Sequence, residues 1–151
     1  MRTLEQKTLI IEDSKEVLSN LAIAFRIDIL DESTPIKMGE SPRKDLEDRE
    51  IDVAESYNEA SEMIASREYA VILLDHNLPR YNDAKTNENI GYTLIPEIRN
   101  RNPGTIIVGT SSMRDEDIGG TNRPDYKLDK SSINLGENLK TIYSYRCKEE
   151  K

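Results

Sequence analysis

Apolar positions along the chain follow two periods. Five short β-branched or aliphatic runs recur at 8–12 (TLIIE), 51–54 (IDVA), 70–75 (AVILLD), 105–109 (TIIVG) and, more weakly, 126–129 (YKLD). Helical spacing alternates with them. Val17, Leu18, Leu21, Ala24 and Phe25 share one helical face, and Ala60, Met63 and Ile64 share a second, opened by the capping-box spacing of Ser56 and Glu59. Leu94, Ile95 and Ile98 form a third, with Pro96 expected in its first turn and Asn102-Pro103-Gly104 as its stop. Leu135, Leu139, Ile142 and Tyr143 form the last, and the stretch 111–120 (SSMRDEDIGG) predicts at most a short fourth helix before its glycine pair. Strands alternating with helices predict parallel βαβ units, and the unbroken apolar runs of the first, third and fourth strands predict cover on both faces. The expected fold class is α/β, a doubly wound five-stranded parallel sheet, which places its functional groups just beyond the carboxyl ends of the strands.

Two stretches exceed a minimal five-unit fold: 28–50 (DILDESTPIKMGESPRKDLEDRE) and 80–90 (RYNDAKTNENI). Neither is low in complexity and no internal repeat is visible, so residues 1–151 are read as one domain with insertions at about 28–50 and 80–90. The first joins a helix to the start of a strand. It is expected at the amino edge of the sheet, with its mixed-charge run 41–50 (SPRKDLEDRE) solvated. The second leaves the carboxyl edge after the third strand and is expected to cover that edge as a polar, mobile loop.

Charge narrows the class of partner. The 21 basic and 29 acidic residues give a formal net charge of −8, which argues against a nucleic-acid surface and for a small-molecule or protein partner. Cys147 is the single cysteine, no apolar run approaches a membrane span, and the N-terminal MRTLEQKTLIIEDS is too polar for a signal peptide. A soluble, cytoplasmic protein is expected.

The strand ends carry the candidate chemistry. Glu12 and Asp13 follow the first strand, Asp75 ends the third, Thr110 and Ser111 end the fourth, and Lys130 ends the fifth. Any one of these acids or hydroxyls is as readily a helix N-cap; together they converge on one edge. Three carboxylates in one cleft repel by about 4 kcal/mol per pair at roughly 4 Å and an effective dielectric of about 20. The available offsets are Lys130 and a metal, and hard oxygen ligands suit Mg²⁺. A carboxylate beside Mg²⁺, a hydroxyl and an ammonium is a place to hold a phosphoryl group, and the carboxylate can itself be the nucleophile that forms an acyl phosphate.

The acidic pair in LIIEDS, the acceptor strand LLDHNLP, the hydroxyl strand IIVGTSS and the lysine strand DYKLDKSS stand in one order along the chain. In that order they resemble a two-component response-regulator receiver domain, over nearly the whole chain apart from the two insertions. The resemblance implies a flavodoxin-like sheet of strand order 2-1-3-4-5 and a phosphoacceptor role. By it, Asp75 accepts the phosphoryl group, Glu12 and Asp13 form the Mg²⁺ pair together with Asp75, and Asn77 contributes a backbone carbonyl. Thr110 contacts the phosphoryl group and Lys130 pairs with a phosphoryl oxygen. The implied partners are a histidine kinase or histidine phosphotransfer protein and a downstream protein. No nucleic acid, membrane insertion or output domain is expected, and no enzymatic activity beyond self-phosphorylation and self-dephosphorylation.

The chain departs from the family pattern in four ways. Ser131 stands where proline usually follows the lysine across a cis bond, and a cis non-proline bond costs about 2.5–4 kcal/mol. Lys127 stands where an aromatic switch residue is usual, with Tyr126 beside it. The glycine expected soon after the acceptor is Gly91, twelve residues beyond Pro79, and the span from Thr110 to Lys130 is short. These departures sustain an alternative: a receiver-fold interaction module that signals without phosphorylation. A phosphohydrolase built on Asp75 would need a second aspartate two residues on, where Asn77 stands. His76 is expected to be an exposed loop side chain, and Cys147 an incidental thiol.

Overall fold

The computed structural model describes residues 2–32, 40–111 and 122–149, side chains included except over 144–149. Strands β1 (Thr8–Ile11), β2 (Ile51–Ala54), β3 (Val71–Leu74), β6 (Ile106–Gly109) and β7 (Tyr126–Lys127) form one parallel sheet in the order β2-β1-β3-β6-β7. Counted without the hairpin described below, this is the expected 2-1-3-4-5 order. The last strand is shorter than its 126–129 run, because pairing to β6 is confined to Tyr126 and Lys127. The stretch expected to hold the fourth helix lies largely outside the described residues, as does the Cys147 side chain.

Alternation along the strands divides the core. Ile10, Val53, Val71, Leu73, Ile106 and Val108 face one layer, made by α1 (Lys15–Ala24), α2 (Pro42–Asp48) and α5 (Leu135–Glu149). Leu9, Ile11, Ile72, Leu74 and Ile107 face the other, made by α3 (Tyr57–Ser66) and α4 (Ile95–Arg101). The continuous apolar runs are therefore covered on both sides, each fully buried aliphatic side chain contributing about 1.5–3 kcal/mol. The predicted helical faces are the buried ones: Leu18 and Leu21 on α1, Ala60 and Ile64 on α3, Ile98 on α4, and Leu135, Leu139, Ile142 and Tyr143 on α5. Pro96 lies in the first turn of α4, which a 3₁₀ turn, Gly91–Leu94, precedes. The capping box of α3 is only half reciprocal. Ser56 Oγ accepts from the Glu59 N–H, but the Glu59 carboxylate reaches back to the N–H of Glu55 rather than of Ser56.

The region 28–50 departs furthest from expectation. The first helix does not stop at the insertion but continues as a π-helical turn, Phe25–Ile29, with the Leu30 N–H donating to the Phe25 carbonyl. The inserted residue leaves Arg26 buried in the interior and Ile27 exposed. The run 41–50, expected to be solvated, forms α2 and buries Asp45, Leu46 and Arg49. Its inward face carries one apolar residue and an i,i+4 ion pair, so no hydrophobic period announces it. Arg26 and Arg49 both pair with Asp45, and Arg49 also donates to Glu32 at 3.0 Å.

The same helix corrects the insertion's expected location. A turn through Glu50, whose φ of 64° is left-handed, reverses the chain from α2 into β2. The helix thus runs antiparallel to β2 and returns its first turn to the carboxyl edge. There the Arg43 guanidinium meets Glu55 and Glu59, each at 2.8 Å.

Candidate functional site

Backbone pairing extends one residue past the strand ends and so aligns the site. The Glu12 N–H donates to the Ala54 carbonyl, the Asp75 N–H to the Ile11 carbonyl, and the Thr110 N–H to the Leu74 carbonyl. These bonds put Glu12, Asp75 and Thr110 in one row at the carboxyl edge, all three buried. Asp13 follows, half-buried, and Ser14 then caps α1, its hydroxyl accepting from the Val17 N–H. The Lys130 ammonium closes the row, donating to Glu12 Oε1 at 2.7 Å and to Asp75 Oδ2 at 2.9 Å. The Lys130–Ser131 bond is trans. Ser131 instead donates to the Asp129 carboxylate through both its N–H and its hydroxyl, a local turn that needs no proline.

The electrostatics of this row are strongly coupled. Burial, and then the neighbouring Asp75 charge, push the Glu12 carboxyl above its usual range, against the opposing pull of Lys130. For Lys130 burial acts to lower the ammonium's pKa, and the hydrogen bonds and charges of Glu12 and Asp75 outweigh it, so Lys130 lies above its ordinary value. One oxygen from each of Glu12, Asp13 and Asp75 lies within 4.8 Å of the others. Among the described residues, one ammonium against three carboxylates leaves negative charge uncompensated, and an all-oxygen donor set of this kind fits a hard divalent cation.

The second insertion is an ordered hairpin rather than a loose loop. β4 (Asn77–Pro79) pairs antiparallel with β5 (Asn87–Asn89), Asn77 opposite Asn89. Leu78 is fully buried in the α3/α4 layer. Arg80 donates to Glu88 through Nε at 3.1 Å and Nη2 at 3.0 Å and lies 5.9 Å over the Tyr57 ring. The Ile90 N–H donates to the His76 carbonyl, so the Asn77–Asn89 pair is the non-hydrogen-bonded kind. The Asn77 carbonyl is left outside the ladder, as a metal ligand from this position would require.

His76 is not an exposed loop side chain. Its ring lies half-buried against Tyr92, centroids 4.6 Å apart, and its Nδ1 accepts from the Tyr92 N–H at 2.9 Å. Burial pushes the imidazole below its ordinary value, against the Asp75 charge. The ring and the His76 carbonyl, which also accepts from the Gly91 N–H, close the base of the hairpin and bring Gly91 back to the acceptor. A Cβ on Gly91 would collide with the Asp75 backbone carbonyl. Gly91→Ala is expected to destabilise the fold by about 1–3 kcal/mol, because backbone must move on one side or the other, with amide shifts concentrated at 75–77. A thermal melt within a degree of wild type would show that the contact relaxes freely.

Two further groups have contacts at this edge that the sequence did not announce, Asn87 and Glu59, the latter expected only as a capping-box residue. The Asn87 carboxamide nitrogen donates to Asp13 Oδ2 at 3.0 Å and to Asn77 Oδ1 at 3.1 Å, and the Asn77 nitrogen donates to Asn89 Oδ1 at 3.0 Å. The alternation of Asn87 and Asn89 was the available signal, since residues two apart share a strand face. The second group is Glu59, bonded by Arg43 of α2 and, at 3.5 Å, by Asn82 of the hairpin. Burial raises this carboxyl, but the bonds from Arg43 and the Glu55 N–H outweigh it and hold it below its usual range. The two insertions thus meet at one carboxylate. Lys127 and Tyr126 are exposed on the edge strand beside Gly109 and Val108.

No protein-family model matches the chain, and no curated protein matches its sequence. Solved structures match its fold over nearly its whole length. The BeF₃-activated receiver domain of DrrB, a Thermotoga maritima response regulator, superposes with a TM-score of 0.63 at 15% identity, covering 94% of this chain and 97% of that one. A CheY-like receiver domain from Methylobacillus flagellatus gives 0.61 at 19% identity, covering 93% and 97%. The T. maritima response regulator TrrA, solved with Mg²⁺-BeF, gives 0.56 at 18% identity, covering 95% and 98%. The architecture is that of response-regulator receiver domains. No helix among the described residues is long and apolar enough to cross a membrane.

Proposed function

We propose that residues 1–151 act as one receiver domain that accepts a phosphoryl group on Asp75 in a two-component or phosphorelay system. The observation that carries this reading is the Lys130 ammonium held between Glu12 and Asp75, with Asp13 within ligand reach, at the carboxyl edge of a receiver-type sheet. An Asp75 carboxylate oxygen attacks the phosphorus of a phosphohistidine. A P–O bond forms, the P–N bond breaks, and the imidazole leaves with the electron pair and takes up a proton. Lys130 would follow the new phosphoryl oxygens, and Thr110, beside Asp75 by register, would contact them through its hydroxyl. Glu12, Asp13, Asp75 and the Asn77 carbonyl would hold a Mg²⁺ ion, which supplies positive charge against the phosphoryl oxygens. Donors are a histidine kinase or phosphotransfer protein, output passes to a protein partner, and the setting is cytoplasmic.

Radiolabelled acetyl phosphate with Mg²⁺ tests the reading directly. Hydroxylamine-sensitive label on the wild-type protein, absent when Mg²⁺ is chelated, is expected; no label under either condition would leave the interaction-module alternative. Asp13→Ala should weaken Mg²⁺ binding on the order of tenfold or more and slow labelling in parallel, measured by calorimetry and by the labelling rate. Unchanged affinity in Asp13→Ala would remove Asp13 from the metal set.

A further inference from the structure

The hairpin turns one face of amides toward the site, and the charge of Asp13 dictates which way each amide points. A carboxylate only accepts, so Asn87 must present its nitrogen to Asp13 Oδ2. Its second N–H then meets Asn77 Oδ1, which commits the Asn77 nitrogen to Asn89 Oδ1. The bonds run in one direction from Asp13 across both strands, at 3.0, 3.1 and 3.0 Å. Asn77, Asn87 and Asn89 share this face because 77 and 89 are directly paired and 87 lies two residues from 89. The opposite face holds the hairpin through buried Leu78.

A divalent cation on Asp13 weakens the bond at the start of that row. An ionised carboxylate keeps acceptor sites beyond one metal bond, so the Asn87 N–H can stay on Oδ2. The cation still draws electron density from the carboxylate and sets positive charge before the N–H dipole, so the Asn87 bond loosens, and with it the donor that orients Asn77 and Asn89.

On the reading that Asp13 is a cation ligand, we propose that Asn87 is a positioning residue that competes with the cation for Asp13, and that the Asn87–Asn77–Asn89 row carries cation occupancy from the site to the hairpin. The residue sets how tightly the site takes its cation, and the row passes that occupancy across both hairpin strands.

Magnesium titration of the full chain tests this with calorimetry and the side-chain NH₂ signals of the three asparagines. Asn87→Ala removes a hydrogen bond to a charged, partly solvated acceptor, so Mg²⁺ should bind about threefold to tenfold tighter. In the wild-type protein the Asn87, Asn77 and Asn89 NH₂ signals should all move with Mg²⁺; in Asn87→Ala the Asn89 signal should cease to follow it, while Asn77, whose backbone carbonyl stands in the cation set, still responds. Arg80→Ala loosens the hairpin at its loop end without touching Asp13 and should change the affinity by less than about twofold. Unchanged or weaker binding in Asn87→Ala overturns the proposal. So do asparagine signals that stay still while those of Asp13 and Asp75 shift, and so does equal tightening in Arg80→Ala, which would assign the effect to the cover as a whole. Failure of Mg²⁺ to shift Asp13 and Asp75 in the wild-type protein is a different result, since it removes the metal reading and this proposal with it.

Discussion

Asp75→Asn is expected to abolish phosphoryl uptake while leaving the fold intact. The amide nearly matches the carboxylate in shape but is a poor nucleophile, so labelling from acetyl phosphate should fall by at least about three orders of magnitude, the range over which removing a covalent nucleophile usually acts. Stability should change little, because two effects oppose each other. Lys130 loses a charge-assisted partner at 2.9 Å, while Glu12 loses a repelling neighbour. The Asn77 N–H keeps an acceptor, since the amide oxygen can stand where Asp75 Oδ1 does. The same variant carries a second readout with a fixed sign. The Asp75 charge helps hold the Glu12 carboxyl above its usual range, so removing it should bring Glu12 down, detectable by carboxyl-carbon NMR titration. Persistent hydroxylamine-sensitive label would move the acceptor elsewhere, and a Glu12 titration that stays put would mean that burial alone sets its value.

The site was legible in the sequence to the extent that it lies on strand ends. A parallel sheet fixes where its carboxyl ends converge, so Glu12, Asp13, Asp75 and Thr110 follow from locating the strands. Lys130, by contrast, lies in a turn three residues past the end of β7 rather than at the expected strand end. What was not legible depends on contacts between segments far apart in sequence. Asn87 reaches Asp13 across 74 residues, through a hairpin whose strands have three residues each and whose β5 is polar throughout. Such strands have no apolar alternation to read, and only the buried Leu78–Pro79 pair betrays that the segment is anchored. His76 escaped for a related reason. A lone imidazole in a polar loop has no local signal for burial, and its partner Tyr92 lies sixteen residues on, across the hairpin.

The fold followed the same logic. Helices with three or more apolar residues on one face were found with their faces right. α2 was missed because its buried face consists of Asp45, Leu46 and Arg49, and two of those three are charged. A hydrophobic period cannot mark a helix whose interior contacts are ionic. The misplacement of the 28–50 region followed from that omission, since without a helix there the segment had no reason to travel back along β2 and bring Arg43 to Glu59.

Asp45→Ala is expected to be among the most destabilising single changes in this molecule, which distinguishes a structural helix from a solvated charge run. The Asp45 side chain is 3% exposed and lies between the guanidiniums of Arg26 and Arg49, themselves 6% and 2% exposed. Removing it takes a negative charge from between two buried positive ones, and breaking a buried pair in this way costs about 3–5 kcal/mol. At roughly 2–4 °C per kcal/mol for a chain of this size, the melting temperature should fall by about ten degrees. The control is Asp48→Ala, which removes a more exposed carboxylate 3.8 Å from Lys44 on the same helix and should cost less than about 1 kcal/mol. The effect should also reach the carboxyl edge. Arg43 opens α2 and holds Glu59, which in turn bonds Asn82 of the hairpin, so loosening the helix should release Glu59 upward toward its ordinary value and shift the Asn82 side-chain amide. Thermal melts of the two variants, with side-chain NMR at Glu59 and Asn82, decide both points. Equal, small losses in Asp45→Ala and Asp48→Ala would return α2 to a solvated surface. A large loss with Asn82 unmoved would keep α2 in the core but detach it from the hairpin.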